Sequence, residues 1–393
     1  MTAIAVVNVH PNPETAGYPV VISDTLLSKK LNGDVQSCSK INLPATGARS
    51  PIYVDDIGEF RQIVRMARKP LILEGNSGIL AWAGPLEEMQ LLRRQLGERL
   101  DLREHFGASV TVSKSDIERV VRTLGVELRR LQFLSITLEE NRKMEVLNHR
   151  LRDFTTEHFG RCYVGGSGAG TIEDLIKRFD ACFDARELKA DYTPAYALAE
   201  RISSSWLYME TDTKNGPKNQ SPISTSSGGF LDWYRVTREG VQSWHPRLDL
   251  HIEIDGQHTY VSRAYFSDTF LSPTAVGSDL KMATHLVGFM QDREEVIINS
   301  SEQHVILSRE RIFAYLCQQA FFTDEHQDAF ISAEKLSHLY STPVYVPSVH
   351  VIMKRDGQAK HRILRSADEE RQASVYYEDG KLLLRFPSDF ILW

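Results

Sequence analysis

The sequence predicts an α+β protein in which sheets stack face to face with helices outside them, followed by a β-rich α+β extension. Three observations predict it. Over residues 1–245 the apolar patterns run strands, two helices, strands, two helices, strands. Each helix pair lies between sheet segments, so one face of a sheet can meet another sheet while its other face is covered by helices. From about residue 246 the pattern changes to strands separated by turns, which places a second unit at 246–393.

The elements follow in order. Residues 3–9 and 19–24 are strand-like runs, and the turn-rich segment His10-Pro11-Asn12-Pro13-Glu14-Thr15-Ala16-Gly17 between them predicts a hairpin. A short strand is expected over Ser39 to Leu43, carrying Lys40. Residues 44–70 fit a loop and a helix, because Ile57, Phe60, Ile63 and Val64 recur at helical spacing. Leu71-Ile72-Leu73 and the run Gly78 to Gly84 read as buried strand. Pro85 suits the first position of a helix whose apolar face is Leu86, Met89, Leu92, Leu96 and Leu100. A second helix is expected to start at Ser115, with Ser115 and Glu118 as a capping box and Ile117, Val120, Val121, Leu124 and Leu128 as its apolar face.

Strands return at Phe133–Leu138 and Arg161–Val164, the latter running into the small-residue loop Gly165 to Gly170. Thr171 opens a helix with Ile172, Leu175 and Ile176, and residues 193–209 form another. A polar loop from Thr211 to Ser227 closes on Ser224-Thr225-Ser226-Ser227-Gly228-Gly229 and leads into a hairpin, Phe230–Val236 and Val241–Trp244. In the extension, Asp255-Gly256, Asp356-Gly357 and Asp379-Gly380 are hairpin signals, and one helix is expected at about Ser308 to Phe322.

Composition narrows the function classes. Hydrophobic content of 42% and charged content of 25% are those of an ordinary globular chain. A net charge of −6 argues against general nucleic-acid binding. Cys38, Cys162, Cys182 and Cys317 are scattered without metal-ligand spacing, so they read as reduced thiols of a cytoplasmic protein. The N-terminus lacks the basic region of a signal peptide, and no apolar stretch is long enough to span a bilayer.

The chemistry begins at Met1-Thr2. Thr2 is small, so removal of Met1 is expected, and this would put an α-amino group and a β-hydroxyl on one residue. A hydroxyl is a weak nucleophile until a base takes its proton, and a neutral amine two bonds away can be that base. Downstream, Pro19-Val20-Val21-Ile22-Ser23-Asp24 ends a strand on an aspartate, and Lys40-Ile41 places a lysine on the next. A small-residue run, Ala81-Trp82-Ala83-Gly84, precedes the first long helix. It is followed at a distance by Gly166-Ser167-Gly168 and by Ser224 to Gly229.

This ordered set resembles a proteasome β-type subunit, within the N-terminal nucleophile hydrolase superfamily, over roughly residues 2–245. The resemblance implies a four-layer αββα sandwich with Thr2 as nucleophile. It assigns Asp24, Lys40, Ser167 and Ser227 as catalytic partners and the Gly84 N–H as oxyanion donor. Gly166, Gly168, Ser224 and Gly228 would support them. It also implies a peptide or amide substrate, no metal or organic cofactor, and a ring-forming homo-oligomer, and it leaves open whether an unfoldase partner is needed. Three departures stand out. Ser224 replaces the family aspartate, for which Asp212 is a candidate substitute. A segment is inserted between Lys40 and Gly84, and the extension beyond 245 has no counterpart.

Each position has a physical task. A charged Lys40 near Thr2 would lower the pKa of both hydroxyl and amine, and Asp24 would balance that charge. Lys29 and Lys30 compete for the same role. Ser167 would hydrogen-bond the Thr2 amine and relay its proton. The glycine loop at 165–170 lacks the Lys-Ser/Thr of a phosphate-binding loop. The reading is a threonine-type peptidase or amidohydrolase acting through an acyl-enzyme. Its alternatives are a catalytically silent scaffold or interaction module, and a small-molecule amidase of the same superfamily.

Overall fold

The computed structural model describes residues 2–10, 17–30, 52–54, 60–66, 68–105, 111–139, 143–184, 193–211, 227–228 and 231–243. As strand backbone it also describes 247–255, 258–266, 269–276, 279–286, 299–301, 344–346, 348–355, 358–365, 373–378 and 381–385. Helices and mainly antiparallel sheets alternate along the chain.

The first sheet is built on β1 (Ala3–Val9) and β2 (Val20–Asp24), the predicted hairpin pair, with Ile4 opposite Ser23 and Val7 opposite Val20. Ala3 through Val7 are all fully buried. A continuous apolar run of this kind is what a strand covered on both faces requires. Alternate side chains go to different clusters. Ala3, Ala5 and Val7 join one with Trp206 and Ile172, while Ile4 and Val6 join another with Ile79 and Ile136.

Three strands follow that form a separate antiparallel sheet in the order β3, β5, β4: β3 (Leu26–Lys30), β4 (Ile52–Val54) and β5 (Phe60–Met66). The expected helix at 44–70 is therefore corrected for its second half. Phe60, Ile63 and Val64 lie on a central strand paired on both sides, where cross-strand partners override a short helical spacing. Ile57 and the strand expected at Ser39–Leu43 lie outside the described residues.

The second main sheet is β6 (Leu71–Ile72), β7 (Gly78–Ala83), β8 (Gln132–Leu138) and β9 (Met144–His149), in that order. Between β7 and β8 come α1 (Leu86–His105) and α2 (Lys114–Leu124). The Pro85 carbonyl accepts the first helical bond of α1, from the Met89 N–H at 3.3 Å. The cap of α2 is corrected by two residues. Ser113 Oγ accepts the Asp116 N–H at 3.3 Å and Asp116 Oδ2 accepts the Ser113 N–H at 3.0 Å, so the box is Ser113 with Asp116 and not Ser115 with Glu118. Ile117, Val120 and Leu124 of α2 and Met89, Leu92 and Leu96 of α1 bury against Leu80, Trp82 and Phe133.

The first sheet is completed by β10 (Arg152–Thr155), β11 (Arg161–Gly166), β12 (Leu231–Thr237) and β13 (Gly240–Ser243), in the order β10-β11-β1-β2-β12-β13. α3 (Ala169–Ala181) starts two residues before the expected Thr171, capped by Gly168, and α4 (Pro194–Thr211) follows. Both bury residues in the cluster of Ala3, Ala5 and Val7: Ile172 and Ile176 from α3, Ile202 and Trp206 from α4. Ile4, Val6 and Tyr234 share the remaining cluster with Ile79, Ala81 and Leu134 of the second sheet.

Beyond residue 246 the described residues are strand backbone. β14 (Arg247–Asp255), β15 (His258–Phe266), β16 (Thr269–Val276), β17 (Asp279–Leu286) and β18 (Asn299–Ser301) pair antiparallel in succession. β19 (Val344–Val346), β20 (Ser348–Arg355), β21 (Gln358–Arg365), β22 (Ala373–Glu378) and β23 (Lys381–Arg385) follow. β20 pairs parallel with β14, which joins the two runs into one sheet, while β19, β22 and β23 form a smaller one. All three expected hairpins are present: Asp255 pairs with His258, Arg355 with Gln358 and Glu378 with Lys381. The helix expected at 308–322 lies outside the described residues.

Candidate active site

The start of β1, the end of β2 and the residues just before β6 meet at Asp24. This carboxylate is fully buried, and among the described residues it accepts three hydrogen bonds. Its Oδ1 takes the Ala3 N–H at 2.9 Å and the Lys69 ammonium at 2.6 Å. Its Oδ2 takes the Gly228 N–H at 3.0 Å. The side chains of Lys69 and Asp24 are both wholly shielded from solvent. Burial holds the Lys69 pKa below its ordinary value, against the opposing pull of the Asp24 charge and hydrogen bond. Trp82 on β7 fixes the backbone there, donating from Nε1 to the Lys69 carbonyl at 2.6 Å.

Thr2 lies one residue from the Ala3 amide that Asp24 accepts, and it is 2% exposed. Its carbonyl is enclosed by the loop between β11 and α3. Gly168 donates to it over a long 3.4 Å. Gly166 has φ +84°, and a Cβ there would stand 1.8 Å from the Thr2 oxygen, so the approach requires glycine. Gly168 is equally confined, since an added Cβ would stand 2.6 Å from both the Ala3 Cβ and the Ser227 Oγ.

Gly84 directly follows β7 with φ +129°, and a Cβ there would meet the Arg130 carbonyl at 2.7 Å. Arg68, next to Lys69, forms a second shielded ion pair: its Nε lies 3.7 Å from Asp232 Oδ2 on β12.

The expected residues are therefore distributed as follows. Thr2, Asp24, Gly166, Gly168, Ser227 and Gly228 converge on one end of β1. Ser227 is buried beside Gly168. Ser167 is exposed at the tip of its loop, and among the described residues no hydrogen bond joins it to Thr2. Its neighbours Gly166 and Gly168 make that approach instead. Lys40, Ser224 and Asp212 lie outside the described residues, and of Lys29 and Lys30 only the β3 backbone is described. The residue missed from sequence is Lys69. It carries the same local signal used for Lys40, a lysine entering an apolar strand, here Lys69-Pro70-Leu71-Ile72.

No protein-family model matches the chain, and no curated protein matches its sequence. Among the described residues no helix is long and apolar enough to cross a membrane.

Proposed function

We propose that this chain is a threonine-type peptidase or amide hydrolase of the N-terminal nucleophile class, with Thr2 as nucleophile once Met1 is removed. The observation that carries this reading is the buried run of hydrogen bonds from Lys69 through Asp24 to the Ala3 amide, one residue from Thr2. The four-layer αββα sandwich belongs to the same reading. Its support is the three apolar clusters, one shared by the two main sheets and one between each sheet and its helix pair.

In this mechanism Lys69 takes the role expected of Lys40. Thr2 Oγ attacks the amide carbonyl carbon while its proton passes to the free Thr2 amine, directly or through a water. The charge of Lys69 favours loss of the hydroxyl proton and disfavours a second cation on the amine, so that the amine stays basic only weakly and available. Asp24 neutralises Lys69 and, through Ala3, fixes the start of β1. The carbonyl oxygen becomes an oxyanion facing the Gly84 N–H, a donor whose removal from such a site costs about 100- to 1000-fold in rate. Collapse breaks the C–N bond, and the proton held by the amine leaves with the departing nitrogen. Water then attacks the ester on Thr2, and the amine again accepts and returns one proton.

The burial of Thr2 favours a second reading, a catalytically silent scaffold in which residue 2 is structural. Intact mass with and without a threonine-directed epoxyketone separates the two. The hydrolase reading expects a chain that begins at Thr2 and gains one adduct. It also expects loss of the adduct, and of peptide or small-amide hydrolysis, in Thr2→Ala and Lys69→Ala. Hydrolysis unchanged in both variants refutes the mechanism. A wild-type chain that retains Met1 and takes no adduct selects the scaffold.

A further inference from the structure

Two polar side chains outside the expected set tie together the two halves of this site. Glu88, on the first turn of α1, is almost wholly buried yet sits far from Thr2 in sequence. Its Oε2 accepts the N–H groups of Arg130 at 3.0 Å and Leu131 at 2.9 Å, and its Oε1 accepts Arg130 Nε at 3.0 Å. Burial alone would raise the Glu88 pKa, but these donors outweigh it and hold the carboxyl below its ordinary value. The backbone that Glu88 grips is the seat of Gly84, whose missing Cβ lets it approach the Arg130 carbonyl and the Leu131 Cα.

The next residue, Gln132, continues the connection. It pairs with Ala83 across β7 and β8, directly beside Gly84. Its side-chain Oε1 crosses to the other sheet and accepts the Gly166 N–H at 2.9 Å. Gly166 in turn encloses the Thr2 carbonyl. One short segment, residues 130–132, therefore contacts the proposed oxyanion donor on one side and the seat of the proposed nucleophile on the other.

We infer that Glu88 and Gln132 are positioning residues, which hold Gly84 and the Thr2 carbonyl in a single rigid frame through the segment 130–132. The catalytic consequence rests on the threonine-hydrolase reading. The nucleophile and the oxyanion donor come from different sheets, and a misplacement of about 1 Å between reacting groups can cost about 100-fold in rate. A direct link between the sheets at this point keeps the two in register.

The test uses the full chain and needs no turnover for its first arm. Amide hydrogen exchange, resolved to single residues, is measured on wild type, Gln132→Met and Gln132→Glu. Methionine keeps the length but removes the acceptor, whereas glutamate retains one. The Gly166 amide is expected to exchange about five- to tenfold faster in Gln132→Met, the loss of one modest hydrogen bond, and to return toward wild type in Gln132→Glu. If Gln132→Met does not fold, wild type alone decides. Gly166 must be protected relative to the exposed Ser167, and equal rates at the two overturn the inference. So does a Gly166 rate indifferent to Gln132. The second arm reads catalysis, with kcat expected to fall about fivefold or more in Gln132→Met at near-constant KM and to recover in Gln132→Glu. An inactive, unlabelled wild type in which Gly166 still depends on Gln132 overturns the hydrolase reading and upholds the structural link. An active wild type in which kcat ignores Gln132 overturns the positioning role alone.

Discussion

Asp24→Asn is the substitution that most directly probes the buried centre. The asparagine is isosteric, so packing is preserved while two things change. Lys69 loses its counter-charge at 2.6 Å, and one carboxylate oxygen becomes an NH₂ that must face either Gly228 N–H or the Ala3 and Lys69 donors. Removing one partner of a buried ion pair costs about 3–5 kcal/mol, because the other charge stays buried without compensation. An independent bound comes from the lysine itself. It can shed its proton at a cost of about 1.4 kcal/mol per pH unit below its pKa. From an ordinary value of 10.5 this caps the charge penalty at pH 7 near 5 kcal/mol. The two estimates agree, and about 4 kcal/mol is a large share of the roughly 5–15 kcal/mol that holds a typical protein folded.

The assay is urea unfolding followed by the fluorescence of the buried tryptophans Trp82, Trp206 and Trp233, on wild type, Asp24→Asn, Lys69→Met and the double variant. The double variant no longer carries either charge. It is expected to lose less than the two single variants together, with a coupling of about 2–3 kcal/mol. The pH dependence has a definite sign. In Asp24→Asn the folded Lys69 pKa falls further below its unfolded value, so between those values the unfolded chain binds the extra proton. Stability of this variant therefore rises with pH, by up to about 1.4 kcal/mol per unit, and the rise ends near the unfolded pKa. Lys69→Met in the same background abolishes that slope. Additivity within about 0.5 kcal/mol, or a slope that survives loss of Lys69, would show that Asp24 and Lys69 do not share a buried interaction.

Other outcomes follow from the same geometry. Gly166→Ala drives a Cβ onto the Thr2 carbonyl at a backbone angle that only glycine adopts readily. It is expected to abolish epoxyketone labelling and to lower the melting temperature by several degrees, whereas Gly170→Ala, with open space around it, leaves both unchanged. Burial pushes the Cys162 thiol up to about 12, while Cys182 is exposed. Alkylation at pH 8 with peptide mapping is therefore expected to mark Cys182 in the native protein and to reach Cys162 only after unfolding. The folded Glu88 carboxyl sits below its ordinary 4.5, so its stabilisation is present above that pH and lost as the pH falls through the folded value. Glu88→Gln is thus expected to narrow its stability deficit against wild type below pH 4.5 in an acid titration followed by circular dichroism.

The parts of this fold that were legible in the sequence share a physical cause. Ala3 to Val7, Val20 to Ile22 and Gly78 to Ala83 are buried on both faces, so they read as unbroken apolar runs bounded by turn residues. The hairpins at Asp356-Gly357 and Asp379-Gly380 were legible because two residues between paired strand ends favour that chemistry, whereas in the first hairpin Asp255 itself pairs with His258 and the signal lies one residue off the connection. Edge strands were not. Met144 to His149 and Arg152 to Thr155 are half-buried or exposed and carry no clear alternation, and β5 showed a helical spacing that pairing on both sides overrode. The cap of α2 was misplaced because Ser113 and Ser115 offer the same hydroxyl, and only the reach of Asp116 back to the Ser113 amide decides between them.

The lysine is the most informative case. The sequence pattern assigned Lys40, which lies outside the described residues, whereas the lysine that the structure brings to Asp24 is Lys69. A three-stranded sheet, β3-β5-β4, intervenes between Asp24 and the strand that enters the site. Charge balance is the stronger guide. A buried carboxylate is stable beside a cation that can be wholly desolvated with it. Lys69 meets that demand because Pro70 and the apolar Leu71-Ile72 lead directly into the second sheet, and because Trp82 holds its carbonyl from β7. The same strand that anchors Lys69 through Trp82 leads directly into Gly84. The proposed oxyanion donor and the cation that would tune the nucleophile thus hang on a single β7, and any shift of that strand would displace both relative to Thr2.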